Sequence, residues 1–108
     1  MAFADAFVQC MQNAGVTVDA GVVTEQNHFT ESLTYLQQWI GGLESDTKEA
    51  LDAATTNDRA AYLLADANVA PGVPDLLHAF DAATGWPLST LVDWCVHCAG
   101  EAAQHAGQ

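Results

Sequence analysis

Leu88–Gln104 reads LSTLVDWCVHCAGEAAQ, and its periodicity decides the fold class. Wound at ~3.6 residues per turn, Leu88, Leu91, Cys95, Cys98, Ala99 and Ala102 gather on one side, with Val92 at its edge. Thr90, Asp93, His97, Glu101 and Gln104 gather on the other. This stretch predicts a C-terminal helix with one apolar side. The rest of the chain reads as shorter helices that cover it.

Working outward, Trp86 precedes Pro87 and is expected to be extended. Pro74 suits the first position of the preceding helix, which carries Leu76, Leu77, Phe80 and Ala83 inward and stops at Gly85. A helix over Asp58–Ala67 follows a Thr55-Thr56-Asn57 break, with Ala60, Leu63, Leu64 and Ala67 inward. Asp46 with Glu49 three residues on is a capping-box pattern opening a short helix over Thr47–Ala54. Thr30 is expected to cap the helix carrying Leu33, Leu36 and Ile40, with Gly41-Gly42 ending it and Leu43 packing just beyond. Val16–Phe29 reads as an irregular covering loop rather than a hairpin, because an isolated two-stranded hairpin is marginal. The first helix runs over Phe3–Ala14, with Phe3, Phe7, Cys10, Met11 and Ala14 on one face and Gly15 as the stop. These elements predict one all-α domain over 1–108, an irregular bundle of five to six short helices.

Composition bounds the function. The 108 residues are half apolar, and no apolar run approaches the ~18 residues that a membrane span needs. The start, MAFADAFVQCMQ, has no basic region of the kind that opens a secretory signal. Three cysteines leave one unpaired in a monomer, which points to a reducing cytoplasm and away from a disulfide framework. Fourteen acids face two bases, Lys48 and Arg59, for a formal charge of −12. Such a chain has almost nothing with which to neutralise phosphate, so direct binding to nucleic acid or to anionic membrane is excluded. It would attract a basic protein surface instead.

Three constellations could carry chemistry. The first is Trp94-Cys95-Val96-His97-Cys98. Thioredoxin-type chemistry places the first thiol at a helix N-terminus, where the dipole lowers its pKa, whereas Cys95 lies two turns into a helix. Cys-x-x-Cys on a helix resembles the all-α AhpD-like and carboxymuconolactone decarboxylase family, and that resemblance implies a thiol-redox pair at Cys95 and Cys98. The family's histidine four residues further on is Ala102 here, with His105 seven residues away. Placement of both cysteines in the apolar stripe ranks inert thiols ahead of that chemistry. A structural zinc would need four ligands. Cys10 could join only if the first helix packs on the last, and His97 points away from the stripe, so no metal is expected.

The second is Glu31-Ser32-Leu33, which resembles the Asp-Ser-Leu of acyl and peptidyl carrier proteins. That resemblance implies Ser32 as a phosphopantetheine attachment point; the plainer reading is a first-turn helical residue. The third is Asp93, His97 and Glu101 at i, i+4 and i+8, where an imidazole between two carboxylates should hold its charge more strongly. The plainer reading there is a solvated face.

Charge therefore leads. The chain is expected to be a non-enzymatic, cofactor-free, cytoplasmic protein-binding module, an inhibitor or adaptor that occupies the basic, nucleic-acid-binding surface of a partner. Phage-encoded inhibitors of host defence, anti-CRISPR proteins among them, are similar in size and charge. The densest acidic run, Glu31, Glu44, Asp46, Glu49, Asp52, Asp58 and Asp66, is expected to carry the contact. Trp39, Tyr62, Trp86 and Trp94 are expected as aromatic anchors, Trp39 first among them.

Overall fold

A computed structural model describes residues 2–53 and 70–106 of the chain. Five α-helices are present among them: α1 (Phe3–Gln12), α2 (Gln26–Gly41), α3 (Ser45–Ala53), α4 (Gly72–Thr84) and α5 (Leu88–Ala106). A single 3₁₀ turn, Ala20–Val22, lies between α1 and α2, and the described residues contain no strand. The helix expected over Asp58–Ala67 lies outside the described residues.

The long helix α5 is the element the others cover. Leu88, Leu91, Val92, Cys95, Cys98, Ala99 and Ala102 are all buried, which is the stripe its 3.6-residue period predicts. Helices α1 and α2 make the most extensive contacts with it, and α3 and α4 add smaller ones. Toward its C-terminal end the stripe carries only cysteine and alanine, so α1 can approach closely. The Cα atoms of Cys10 and Cys98 are 5.4 Å apart. Helix α1 contributes Phe3, Phe7 and Met11 to the same core, each burial worth about 1.5–3 kcal/mol. Phe7 meets Phe29 of α2 edge to face with ring centroids 5.1 Å apart, a favoured aromatic geometry.

The helix ends follow local chemistry. Beyond Gln12 the chain tightens into 3₁₀ bonds, then closes with Gly15 at a φ of 78°. The Gly15 amide donates to the Gln12 carbonyl and the Val16 amide to the Met11 carbonyl, a Schellman closure that delivers Val16 into the core. Asp19 accepts a hydrogen bond from the Gly21 amide at 2.8 Å and starts the 3₁₀ turn, with Val18 buried just before it. Val16–Phe29 thus covers the core as a loop over its first half. Its last four residues, from Gln26, are helical, and Thr30 is not the cap. Helix α2 begins at Gln26, because the Glu25 carboxylate accepts from the amides of Asn27 (3.0 Å) and His28 (2.6 Å). Those two bonds, His28 first, lower the Glu25 pKa below its usual 4.5.

Helix α3 starts two residues earlier than expected: the Lys48 amide donates to the Glu44 carbonyl, so Glu44 rather than Asp46 occupies the cap. Helix α4 ends on Gly85, at a φ of 66°, whose amide donates to the Asp81 carbonyl. Leu76, Leu77 and Phe80 point inward as expected; Ala83 is exposed and Asp81 is buried instead. At the start of α4, Gly72 lies directly against the Val22 carbonyl, leaving no room for a Cβ. That contact seats α4 on the 3₁₀ turn.

Candidate interaction surface and the groove beside it

The acidic residues expected to meet a partner are carried by more than one element. Glu44, Asp46 and Glu49 are exposed at the start of α3, where Asp46 and Glu49 stand one turn apart. Asp52 lies further along the same helix. Glu31 is exposed on α2, ten residues before its end at Gly41, so about 15 Å of helix axis separates the two. Asp58 and Asp66 lie outside the described residues. Asp5, Asp19, Glu25, Asp75 and Asp93 add further exposed acids on other elements. Against all of these, Lys48 is the one Lys or Arg among the described residues.

The expected aromatic anchors are partly covered. Trp39, Trp86 and Trp94 are half-buried and pack against the core. The Trp86 ring sits 5.4 Å from that of Phe80. Trp39, expected as the first anchor, is thus partly packed on the core and partly exposed; Tyr62 lies outside the described residues. Among the described residues, the exposed aromatic is Tyr35, at 45% exposure, one turn after Glu31 on the outer face of α2. Its signal in the sequence is the polar stripe His28, Glu31, Tyr35, Gln38, opposite the Leu33–Leu36–Ile40 stripe.

A groove of about 570 Å³ runs between α1 and α5. Gln9, Cys10 and Asn13 line one wall and His97, Glu101 and His105 the other. Spacings of i, i+4 on both helices bring these rows face to face. The Asp93–His97–Glu101 triple does not act as a unit. The Asp93 carboxylate accepts from Gln37 Nε2 at 3.0 Å, tying α2 to α5. The His97 ring lies against Trp94 at 5.1 Å. Glu101 pairs with His105 across 3.9 Å on the exposed side of the helix, a contact that is ionic only when the imidazole is protonated. Among the described residues, no group of three or more His, Cys, Asp or Glu side chains is arranged to hold a metal ion.

The cysteines are arranged differently from either sequence expectation. Cys10 and Cys98 form a disulfide that spans 88 residues and ties α1 to α5. The chain therefore carries a disulfide after all, and the odd cysteine is Cys95. Helix α1 does pack on α5 as a zinc site would require, but the two sulfurs it brings together are bonded to each other. Cys95 is fully buried, and desolvation pushes its thiol far above the ordinary cysteine range, so it stays protonated. The neighbouring pair of the Cys-x-x-Cys motif is thus one inert thiol and one half of a long-range bridge.

Ser32 is also placed by packing. It is 3% exposed. Its hydroxyl donates to the His28 carbonyl at 2.7 Å and accepts from the Ala70 amide at 2.9 Å. A phosphopantetheine attachment point needs a hydroxyl that a transferase can reach, whereas this one closes α2 onto the chain leading into α4. No protein-family model, no curated protein and no solved structure matches the chain.

Proposed function

We infer that this protein is an acidic protein-binding module, an inhibitor or adaptor whose carboxylates occupy the basic, nucleic-acid-binding surface of a partner. The observation that carries this reading is the unbalanced exposure of charge. Glu31, Glu44, Asp46 and Glu49 all face solvent, and Lys48 is the one Lys or Arg among the described residues to offset them. With −12 over 108 residues, the field reaches a basic partner before contact and speeds encounter. Exposed carboxylates along helices can stand in for phosphates, and the chain's size and charge support the reading of a nucleic-acid mimic, the anti-CRISPR class among them. Tyr35, one turn after Glu31 on α2, supplies an exposed aromatic contact beside that carboxylate. No helix among the described residues is long and apolar enough to cross a membrane.

The test is capture of partners by the tagged protein, elution with a salt gradient, and competition by duplex DNA or heparin. Release by moderate salt, and displacement by the polyanion, are expected because screened charge contacts weaken. The Glu31→Lys/Glu44→Lys/Glu49→Lys triple variant should lose binding while keeping the helical circular-dichroism spectrum. Binding that survives both high salt and charge reversal would remove the mimic reading and shift weight to an apolar interface.

A further inference from the structure

The Cys10–Cys98 bridge is asymmetric. Cys98 is fully buried in the α5 stripe among Cys95, Ala99 and Ala102. Cys10 is partly exposed and lines the groove of about 570 Å³, opposite His97 and Glu101. A thiolate attacks a disulfide along the sulfur–sulfur axis, from the side opposite the leaving sulfur, and its rate depends on which sulfur it can reach. An approach to Cys98 would require α1 to lift from α5 and expose Phe3, Phe7 and Met11. An approach to Cys10 requires only entry into the groove.

We propose that the groove admits a small thiol to Cys10, making it the site at which this protein is S-thiolated and the bridge holding α1 on α5 is opened. The attacking thiolate forms a bond to the Cys10 sulfur, and the Cys10–Cys98 bond breaks. Its electron pair leaves on Cys98, which takes up the proton that the attacking thiol gave up. The product is a mixed disulfide on Cys10 and a free thiol on Cys98. A second thiol can attack the outer sulfur of that mixed disulfide, releasing a small-molecule disulfide and a Cys10 thiol, so that two thiols are oxidised as the bridge is reduced. Cys98 is the poorer leaving group because its sulfur departs into apolar surroundings. Access nevertheless decides the direction, since the alternative attack gives up the packing of three large side chains. Glu101 in the groove wall and the chain's net negative charge favour a cationic thiol over an anionic one.

Cysteamine, small and carrying an ammonium, is the probe. The native, oxidised protein is incubated with it, quenched with N-ethylmaleimide, and mapped by peptide mass spectrometry through a time course. With the maleimide quench made in denaturant, so that it reaches every free thiol, the expected early product carries cysteamine on Cys10 and the maleimide on Cys98 and Cys95, with no cysteamine on Cys95. Asn13→Trp, which puts bulk into the groove at an exposed position, should slow the reaction by about tenfold or more while intact mass shows the bridge formed. Cys95→Ala should give the same Cys10 product, since the buried thiol takes no part. Cysteamine on Cys98, an equal rate in Asn13→Trp, or reaction only after denaturant is added would each overturn the proposal.

Discussion

Removing the Cys10–Cys98 bridge, by reduction or by a Cys10→Ala/Cys98→Ala variant, should lower the thermal midpoint without dissolving the helices. The bridge closes a loop of 88 residues, for which the chain-entropy relation gives about 15 cal/mol/K, or ~4.6 kcal/mol at 25 °C. At ~2.1 cal/mol/K of unfolding entropy per residue, 108 residues give about 0.23 kcal/mol per degree. The full loop entropy would then move the midpoint by ~20 °C, and the more usual disulfide contribution of about 2–4 kcal/mol by ~9–18 °C. The contacts of Phe3, Phe7 and Met11 with the core do not depend on the sulfur bond, and stability of ~5–15 kcal/mol is ordinary for a domain. A reduced protein that is still helical at 25 °C is therefore expected. The assay is far-UV circular dichroism against temperature, on oxidised and reduced protein, with thiol titration of each. The oxidised, denatured protein should show a single free thiol, Cys95, and the native protein none that reacts quickly. Three titratable thiols in the denatured, unreduced protein would refute the bridge. A reduced midpoint within about 3 °C of the oxidised one would refute the energetic argument, since that is under ~1 kcal/mol on the same scale.

Other perturbations separate packing from chemistry. Cys95→Ala removes one buried heavy atom and leaves the bridge, so it should cost only about 1 kcal/mol by urea denaturation. Gly72→Ala puts a Cβ against the Val22 carbonyl and should cost about 2 kcal/mol or more, because backbone on both sides must move; an unchanged urea midpoint would show that α4 is not seated there. Ser32→Ala leaves the Ala70 amide buried without its acceptor, so a loss of about 1–3 kcal/mol and faster exchange of that amide are expected. Wild-type protein incubated with coenzyme A and a phosphopantetheinyl transferase should show no mass increase; an added arm would overturn the reading of Ser32 as a packing residue. Glu25 has a lowered pKa in the folded protein. Its cap therefore contributes fully above the ordinary glutamate value and is lost as the pH falls through the lower folded value. The His28 amide resonance should report that transition, and Glu25→Gln should abolish it.

Much of the fold is legible because burial repeats with helical period. The buried set of α5 is the stripe read from LSTLVDWCVHCAGEAAQ, residue by residue, and Phe3, Phe7 and Met11 follow the same rule. Gly15 and Gly85 close their helices in the left-handed conformation that glycine accepts at least cost. The misses occur where a side chain works against its usual preference. Glutamate is not among the favoured N-caps, so Thr30 outranks Glu25 until the two amides are seen to converge on the Glu25 carboxylate. A serine in a polar dipeptide reads as exposed, and only the Ala70 amide, 38 residues away, explains why Ser32 is inside.

The site is less legible, and the reason is physical. Apolar residues reveal their face because they must share one, whereas charges are content on any exposed position. A net charge of −12 therefore predicts a class of partner but not a patch, and the exposed acids are spread over all five described helices and the loop between α1 and α2. Cysteine pairing is hidden for a related reason. Cys95 and Cys98 are adjacent on one helix, so spacing favours them as a pair, yet both point into the core, where the partner is set by whichever helix packs there. That helix is α1, and it presents Cys10. The same packing leaves Gln9 and Asn13 facing His97, Glu101 and His105 across an open groove. Polar rows on two helices form a groove only when an apolar stripe beneath them holds the helices side by side. A burial pattern that can be read locally thus creates a reactive position, Cys10, that cannot.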